Sequence, residues 1–384
     1  MLSRTIDILD RLIACPTVSS DSNLELIADL SDTLSHLGAR VITQLSPCGT
    51  KANLFASLGP DRPGGILLSG HTDVVPVTDQ DWASDPFTMR AADGRLYGRG
   101  TCDMKGFIAA AMAMAEGLEP NRLTRPLHFA FTYDEETGCL GARHLVGELR
   151  GLGLTPDIVI IGEPTDMRII EGHKGCYEYS THFTGLEGHG SRPELGVNAA
   201  EYAVRYVARL LDLREVLKTR TPPDSLFEPP WTTINIGRVA GGVAHNVIVG
   251  KAEIDWEMRP VRTEDADLVK ADLDRYCTDV LLPAMQAVHP DASITTTTVG
   301  EVEGLIPMPH NAARELVAEL TGANGCDLVS FGTEAGLFQS LGCDVVVCGP
   351  GSILQAHKPD EFIELSQLEQ CCAMLDRMVD KISQ

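Results

Sequence analysis

No run of lysine or arginine occurs in the 384 residues, and 31 basic side chains stand against 54 acidic ones, a formal net charge of -23. Phosphate backbones are gripped through basic stripes, so a nucleic-acid role is disfavoured. The acidity needs no partner to explain it, because net charge keeps a protein soluble. Paired cysteines are missing too: the eleven cysteines are an odd number and none form a Cys-x-x-Cys pair. A cysteine zinc site therefore lacks its spacing, and thiols in apolar or site-adjacent stretches, such as Cys102, Cys139 and Cys348, read as reduced and buried in a cytoplasmic protein. Met1 to Cys15 alternates charged and apolar residues at helical spacing, so neither a signal peptide nor a membrane span is expected. The G-x-G-x-x-G, P-loop, H-E-x-x-H and G-x-S-x-G patterns are absent, which removes the main support for nucleotide, single-zinc peptidase and serine-esterase readings.

What is present describes an ordinary globular chain. Hydrophobic residues make up 43% and charged ones 22%, and the length suffices for two domains and a large core. Short apolar runs at Ile66 to Ser69, Leu127 to Thr132, Asp157 to Ile161 and Asp344 to Cys348 alternate with helical patterns, notably the Ala-rich stretch Lys105 to Leu118. That alternation predicts an α/β domain whose central sheet is covered by helices. The middle reads differently. Cys176 to Thr184 alternates as a strand, Val197 to Leu213 is amphipathic, and Thr232 to Ala240 and Val247 to Met258 look like strands joined at Gly241-Gly242. Helical Glu264 to Leu282 and β-branched Ser293 to Val299 complete a ferredoxin-like α+β order. The expected organisation is a catalytic domain of residues 1–178 and 300–384 with an inserted domain at 179–299. A Pro-rich loop, Thr221 to Pro230, interrupts the insertion.

Chemistry-bearing residues recur at the ends of these runs. His71 and Asp73 follow the first, on one side of an extended chain, so Asp73 is placed to orient the imidazole. Asp103 stands before the Ala-rich helix, where its plainest role is an N-cap. Asp134-Glu135-Glu136 follows the second run, and three adjacent carboxylates repel unless something positive sits among them. Glu163 closes the third run, where burial is costly unless the carboxylate is paired or holds a metal. His357 lies in the turn-rich loop after the fourth. Ligands of open α/β sheets bind beyond the carboxyl ends of the strands, so these residues can converge. Five metal-ligand types with a spare carboxylate are the inventory of a two-metal hydrolase. Elsewhere, glycines flank His189, and Asn246 and Arg259 lie at a strand's ends, where a guanidinium suits a carboxylate. Turn chemistry and surface charge explain these last three as simply.

The stretches Ser69 to Pro76, Gly98 to Gly106, Asp134 to Gly138, Gly162 to Thr165 and Gln355 to Glu361 resemble the acetylornithine deacetylase and succinyl-diaminopimelate desuccinylase family of dinuclear metallo-hydrolases. The resemblance runs along nearly the full chain. It implies that Asp103 bridges two Zn2+, with Co2+ or Mn2+ as substitutes. His71 and Glu163 would complete one site, and Glu136 and His357 the other. It further implies Glu135 as general base with Asp73 behind His71, and His189 as an oxyanion donor reaching across a homodimer from a lid and dimerisation domain. Asn246 and Arg259 are candidates for the substrate carboxylate. The family typically has Glu at the position of Glu163 in deacylases and Asp in aminopeptidases, which argues against an aminopeptidase. Phe331 to Ala335 and Gly349 to Ile353 look most like the acetylornithine branch, implying hydrolysis of N-acetyl-L-ornithine in arginine biosynthesis. A succinyl-diaminopimelate desuccinylase or a general N-acylamino-acid deacylase remains the alternative, with a non-catalytic binding protein behind them. Gly190 departs from the family pattern, where Ser or Ala often follows the lid histidine.

Overall fold

The computed structural model describes residues 1–383 and divides them into two compact units. The first comprises Met1–Gly172, Pro307–Leu328 and the chain from Thr333 onward. It is built on an eight-stranded sheet in the order Arg40–Leu45, Ala52–Leu58, Leu127–Thr132, Ile66–His71, Ile158–Pro164, Asp344–Gly349, Ile170–His173, Asp327–Val329. The middle four strands run parallel to one another. Their residues are buried on both faces almost throughout, which is why they read as unbroken apolar runs rather than as alternating ones.

Helices account for that burial. Leu54, Leu68, Phe129, Ile160 and Val346 share one core with the helices Leu2–Ile13, Leu24–His36, Lys105–Glu116, Ala312–Thr321 and Leu365–Ile382. The intervening Phe55, Leu67, Val159 and Val345 are buried as well, and the helix Leu140–Leu152 packs on this sheet. Lys105–Glu116 is apolar all round and buried along nearly its whole length, as a central helix must be. It approaches the strand Ile158–Pro164 so closely that a Cβ on Gly162 would fall 2.0 Å from the Phe107 ring. Glycine at that position lets Glu163 emerge directly beside the helix start.

The second unit comprises His173–Ile306 and Val329–Gly332. Its antiparallel sheet has the order Thr233–Gly241, Lys251–Arg259, Cys176–Thr184, Ser293–Val302, with the helices Ala199–Thr219 and Thr263–Tyr276 sharing its apolar core. The order of strands and helices along the chain, with the last strand beside the first, is the ferredoxin-like arrangement. The unit is wider than 179–299, since its first strand starts at Cys176, which pairs with Val302 of its last. One expected strand is broken. Val247 to Met258 is not continuous, since Val247–Ile248 turns away to pair with Gly188–His189 and the sheet strand begins only at Lys251. The helix expected to reach Leu282 becomes a π-helical turn at Cys277–Leu281. Residues 221–230 form no regular structure.

Candidate metal centre

Parallel register delivers the site. His71 is paired with Thr132, so the residues after both strands leave the sheet at one edge, and Ile161 and Val347 bring Glu163 and the loop of His357 to the same edge. His71 Nε2 lies 3.0 Å from Asp103 Oδ1 and 3.6 Å from Glu163 Oε1. His357 Nε2 lies 3.4 Å from Asp103 Oδ2 and 3.1 Å from Glu136 Oε2. Asp103 thus faces both imidazoles, one with each carboxylate oxygen. His71, Asp103 and Glu136 present ligand atoms within 4.8 Å of one another, and so do His71, Glu135 and Glu163. All of the sequence-predicted ligands are therefore brought together, and Glu135 stands close enough to the second set that proximity alone does not separate base from ligand.

Charge in the cluster is unbalanced. Burial pushes Glu163 up, and the nearby Asp103 charge adds to it; burial together with Glu136, Asp103 and Asp73 holds Glu135 at about 8 against the opposing pull of His71. Glu136 is raised by burial and Asp103. Asp103 goes the other way: burial would raise it, but hydrogen bonds from His357 and His71 lower it well below the usual range. His71 is raised despite burial by Glu163, Asp103 and Asp73, and His357 is carried to about 10 by Asp103 and Glu136. Imidazolium protons thus serve as the positive charge that the carboxylates require. Glu163 Oε1 is buried with no hydrogen-bond partner, a costly arrangement for a carboxylate oxygen. An orphaned oxygen, imidazole nitrogens and hard carboxylate donors around one gap fit divalent cations of the zinc, cobalt or manganese kind.

Several expectations are corrected in detail. Asp103 does not cap the helix; Met104 occupies the cap position with no side-chain hydrogen bond. The Asp73 carboxylate is not the hydrogen-bond partner of His71. Nδ1 of His71 sits 2.8 Å from the Asp73 main-chain carbonyl, while the carboxylate, 3.6 Å away, accepts from Ser19 Oγ at 2.7 Å and from the amides of Glu135 and Glu136 at 3.1 and 3.4 Å. Asp73 therefore places the Glu135-Glu136 backbone. The repulsion within Asp134 to Glu136 is relieved partly by Lys51, which pairs with Asp134. Sequence reading missed Lys51, Ser19 and Glu334, a fully buried carboxylate that accepts from Ser69 Oγ at 2.5 Å and Thr132 Oγ1 at 2.8 Å. Only Glu334 had a signal, as a charge within the distinctive Phe331 to Ala335 stretch.

The remaining candidates lie in the ferredoxin-like unit. His189 is exposed, and its Nδ1 is engaged within its own turn, 2.8 Å from Ser191 Oγ and 3.2 Å from the Ser191 N–H, which leaves Nε2 facing outward. Gly190 N–H donates to the Asn246 carbonyl at 2.8 Å, and a Cβ on Gly190 would lie 2.9 Å from that carbonyl, so glycine here permits the contact. Arg259 is half-buried and engaged with Glu257 through Nε at 3.0 Å and Nη2 at 2.7 Å. Asn246 and Arg259 do not converge within one chain. They flank opposite ends of the strand Lys251–Arg259, which spans roughly 25 Å at about 3.3 Å per residue.

Residues 67–381 match the model of Peptidase family M20/M25/M40. The chain belongs to that family. An acetylornithine deacetylase of Shigella sonnei (strain Ss046) is 38% identical over 371 residues, covering 94% of this chain and 92% of the relative. This M20 chain is a metal-dependent amide hydrolase, and the resemblance carried by its motifs holds. The M20 metallo-carboxypeptidase Sso-CP2 of Sulfolobus solfataricus superposes with a TM-score of 0.75 at 18% identity, over 98% of each chain. The YXEP protein of Bacillus subtilis, a dinuclear metal-binding M20 peptidase, gives 0.61 at 17% identity over 99% of each chain. These two likenesses bear on the fold, which is shared from end to end. Among the described residues no helix is long and apolar enough to cross a membrane.

Proposed function

We propose that this M20 hydrolase deacylates a small N-acyl amino acid, N-acetyl-L-ornithine before others, releasing acetate and L-ornithine. The observation that carries the hydrolytic reading is the closure of His71, Asp103, Glu136, Glu163 and His357 around one gap with Glu135 at its side. The choice of substrate leans on the named relative. Two Zn2+ ions are the proposed occupants; His71, Glu163 and Asp103 would hold one, and Glu136, His357 and Asp103 the other. Such a pair, when bound, supplies Lewis acidity and brings a water's pKa toward neutrality.

The chain's own groups do the rest. Glu135 accepts the proton of the attacking water and later delivers it to the leaving nitrogen. Its carboxyl sits at about 8 in the cation-free cluster, and added positive charge lowers it into the range of a working base. His189, exposed and held to its own turn through Nδ1, presents Nε2 as the candidate donor to a developing oxyanion. Asn246 and Arg259 are proposed to hold the substrate carboxylate. Because they lie at opposite ends of one strand, joint recognition of one carboxylate calls for two chains, which favours a homodimer in which His189 and Asn246 serve a second copy's substrate. The free cysteines suit a reducing cytoplasmic setting.

A panel of N-acetyl-L-ornithine, N-succinyl-diaminopimelate and N-acetyl-L-methionine with the zinc-loaded protein tests the reading. Preference for the first is expected. Preference for another would move the substrate to the desuccinylase or general deacylase alternative, and no hydrolysis of any would remove the deacylase assignment.

A further inference from the structure

One charge pair in the first unit takes no part in the chemistry above. Arg99 and Glu361 are both 1% exposed, and Arg99 Nη1 donates to Glu361 Oε2 at 2.6 Å. Burying two charges costs several kcal/mol in desolvation, so such a pair is weak evidence for stability and its position asks for another reason. Its contacts supply one. Glu361 Oε1 accepts the main-chain N–H of Cys102 at 2.8 Å and of Asp103 at 3.1 Å, and the Gly100 N–H lies 3.1 Å from both oxygens. Arg99 Nη2 donates to Gln80 Oε1 at 2.7 Å, and Gln80 Nε2 donates to the carbonyl of His357 at 3.0 Å. Arg99 Nη1 also reaches the Lys358 carbonyl at 3.4 Å. Trp82 lies against the guanidinium, 5.1 Å from ring centre to Cζ, and its Nε1 donates to Gln80 Oε1 at 3.1 Å.

A single hydrogen-bonded unit therefore ties the backbone of Asp103 on one loop to the backbone of His357 on another. Both loops need holding. His357 and Asp360 have φ of 62° and 54°, a left-handed conformation that side-chain-bearing residues keep only where surrounding contacts enforce it. A metal ligand displaced by a fraction of an ångström loses affinity, and groups behind ligands are where that placement is set.

We infer that Glu361, acting with Arg99 and Gln80, is a positioning group of the metal centre that fixes the spacing between Asp103 and His357. The inference deepens the two-cation reading and rests on it. Glu361 touches neither substrate nor cation; it works through the main chain of Asp103.

Cobalt(II) is a suitable probe, since its uptake can be counted and its visible absorption reports coordination geometry. The parent protein is expected to take up two equivalents per chain. Glu361→Gln keeps an acceptor oxygen for the loop amides but removes the charge opposite Arg99. Its second equivalent is expected to bind roughly 10–100-fold more weakly, with a changed absorption band. In turnover of the best panel substrate, kcat should fall while KM holds. Gln80→Ala severs only the branch to His357 and should shift the same equivalent in the same direction by less, at an unchanged melting temperature; it decides the matter alone should Glu361→Gln fail to fold. Parental affinity and absorption in the folded variants would overturn the inference. Fewer than two equivalents in the parent would instead bring down the two-cation reading beneath it.

Discussion

His71 is 1% exposed, with one ring nitrogen on the Asp73 carbonyl and the other on Asp103, whereas His189 is exposed and bonds Ser191 of its own turn. The two histidines stand for their surroundings. His71, Glu136 and Glu163 stand at or just after parallel strands buried on both faces, while Asp103 and the exposed His357 come from loops held by Glu361 and Gln80. The candidate substrate residues of the ferredoxin-like unit sit on a two-residue ribbon, Gly188–His189 with Val247–Ile248, and at a sheet strand's far end. Clustered charge belongs to the first set, while the second consists of separate polar groups with partners in their own unit. If so, damage to the first set should remove the cations or the base, and damage to the second should lower turnover with the cations in place.

The harshest test of that contrast is Asp103→Ala. The cluster loses the group that faces both imidazoles, and the protein is expected to lose bound metal and turnover together, checked by metal analysis beside an activity assay. Glu135→Ala should lose roughly 10²–10⁴-fold in kcat, the worth of a positioned acid-base group, while retaining both cations. Normal turnover in a metal-replete Glu135→Ala protein would move the base to another residue. On the other side of the comparison, His189→Ala should cost roughly 10²–10³-fold in kcat, as for one oxyanion donor, with metal content untouched. Mixing Glu135→Ala with His189→Ala chains should recover part of the activity through hybrid dimers. Failure to recover despite proven subunit exchange would count against a shared site.

How far these two regions could be read without coordinates follows the same division. The four parallel strands announced themselves as apolar runs because both of their faces are covered, and the ligands were legible as charges standing where such runs end. What lies behind the ligands was not. Ser69 and Glu334 are 265 residues apart and Cys102 and Glu361 are 259 apart, so no local pattern joins them. The Asp73 carboxylate does lie on the side of His71, 3.6 Å from Nδ1, as alternation puts it, but alternation says nothing of the main-chain carbonyl, which stands nearer at 2.8 Å. In the inserted unit the apolar alternation of Val247 to Met258 is real, yet it spans a break at Gly250, where a Cβ would strike Glu187 at 2.3 Å. Periodicity records which face a residue shows; it does not record which partner strand it follows.

The gentlest prediction concerns pH and separates the regions by where protons are stored. In the cation-free cluster Glu135 is held at about 8 against an ordinary 4.5, by burial and neighbouring carboxylates, and His357 at about 10 against 6.5, by bonds to Asp103 and Glu136. Both are raised, so the folded chain keeps protons that the unfolded chain releases. The stability they contribute is complete below the unfolded values and drains away as pH climbs toward 8 for Glu135 and 10 for His357. Cation binding has the opposite dependence, because an imidazole must give up its proton to become a ligand. The difference in melting temperature between zinc-loaded and chelator-treated protein should therefore widen steadily from pH 6.5 to 9, and titration calorimetry in buffers of different ionisation enthalpy should register proton release on zinc uptake at pH 7. His189→Ala should leave both curves where they are, since His189 is not among the groups that raise Glu135 or His357. A gap that stays constant with pH, or a His189→Ala protein that shifts it, would erase the distinction between a region that stores charge for cations and one that does not.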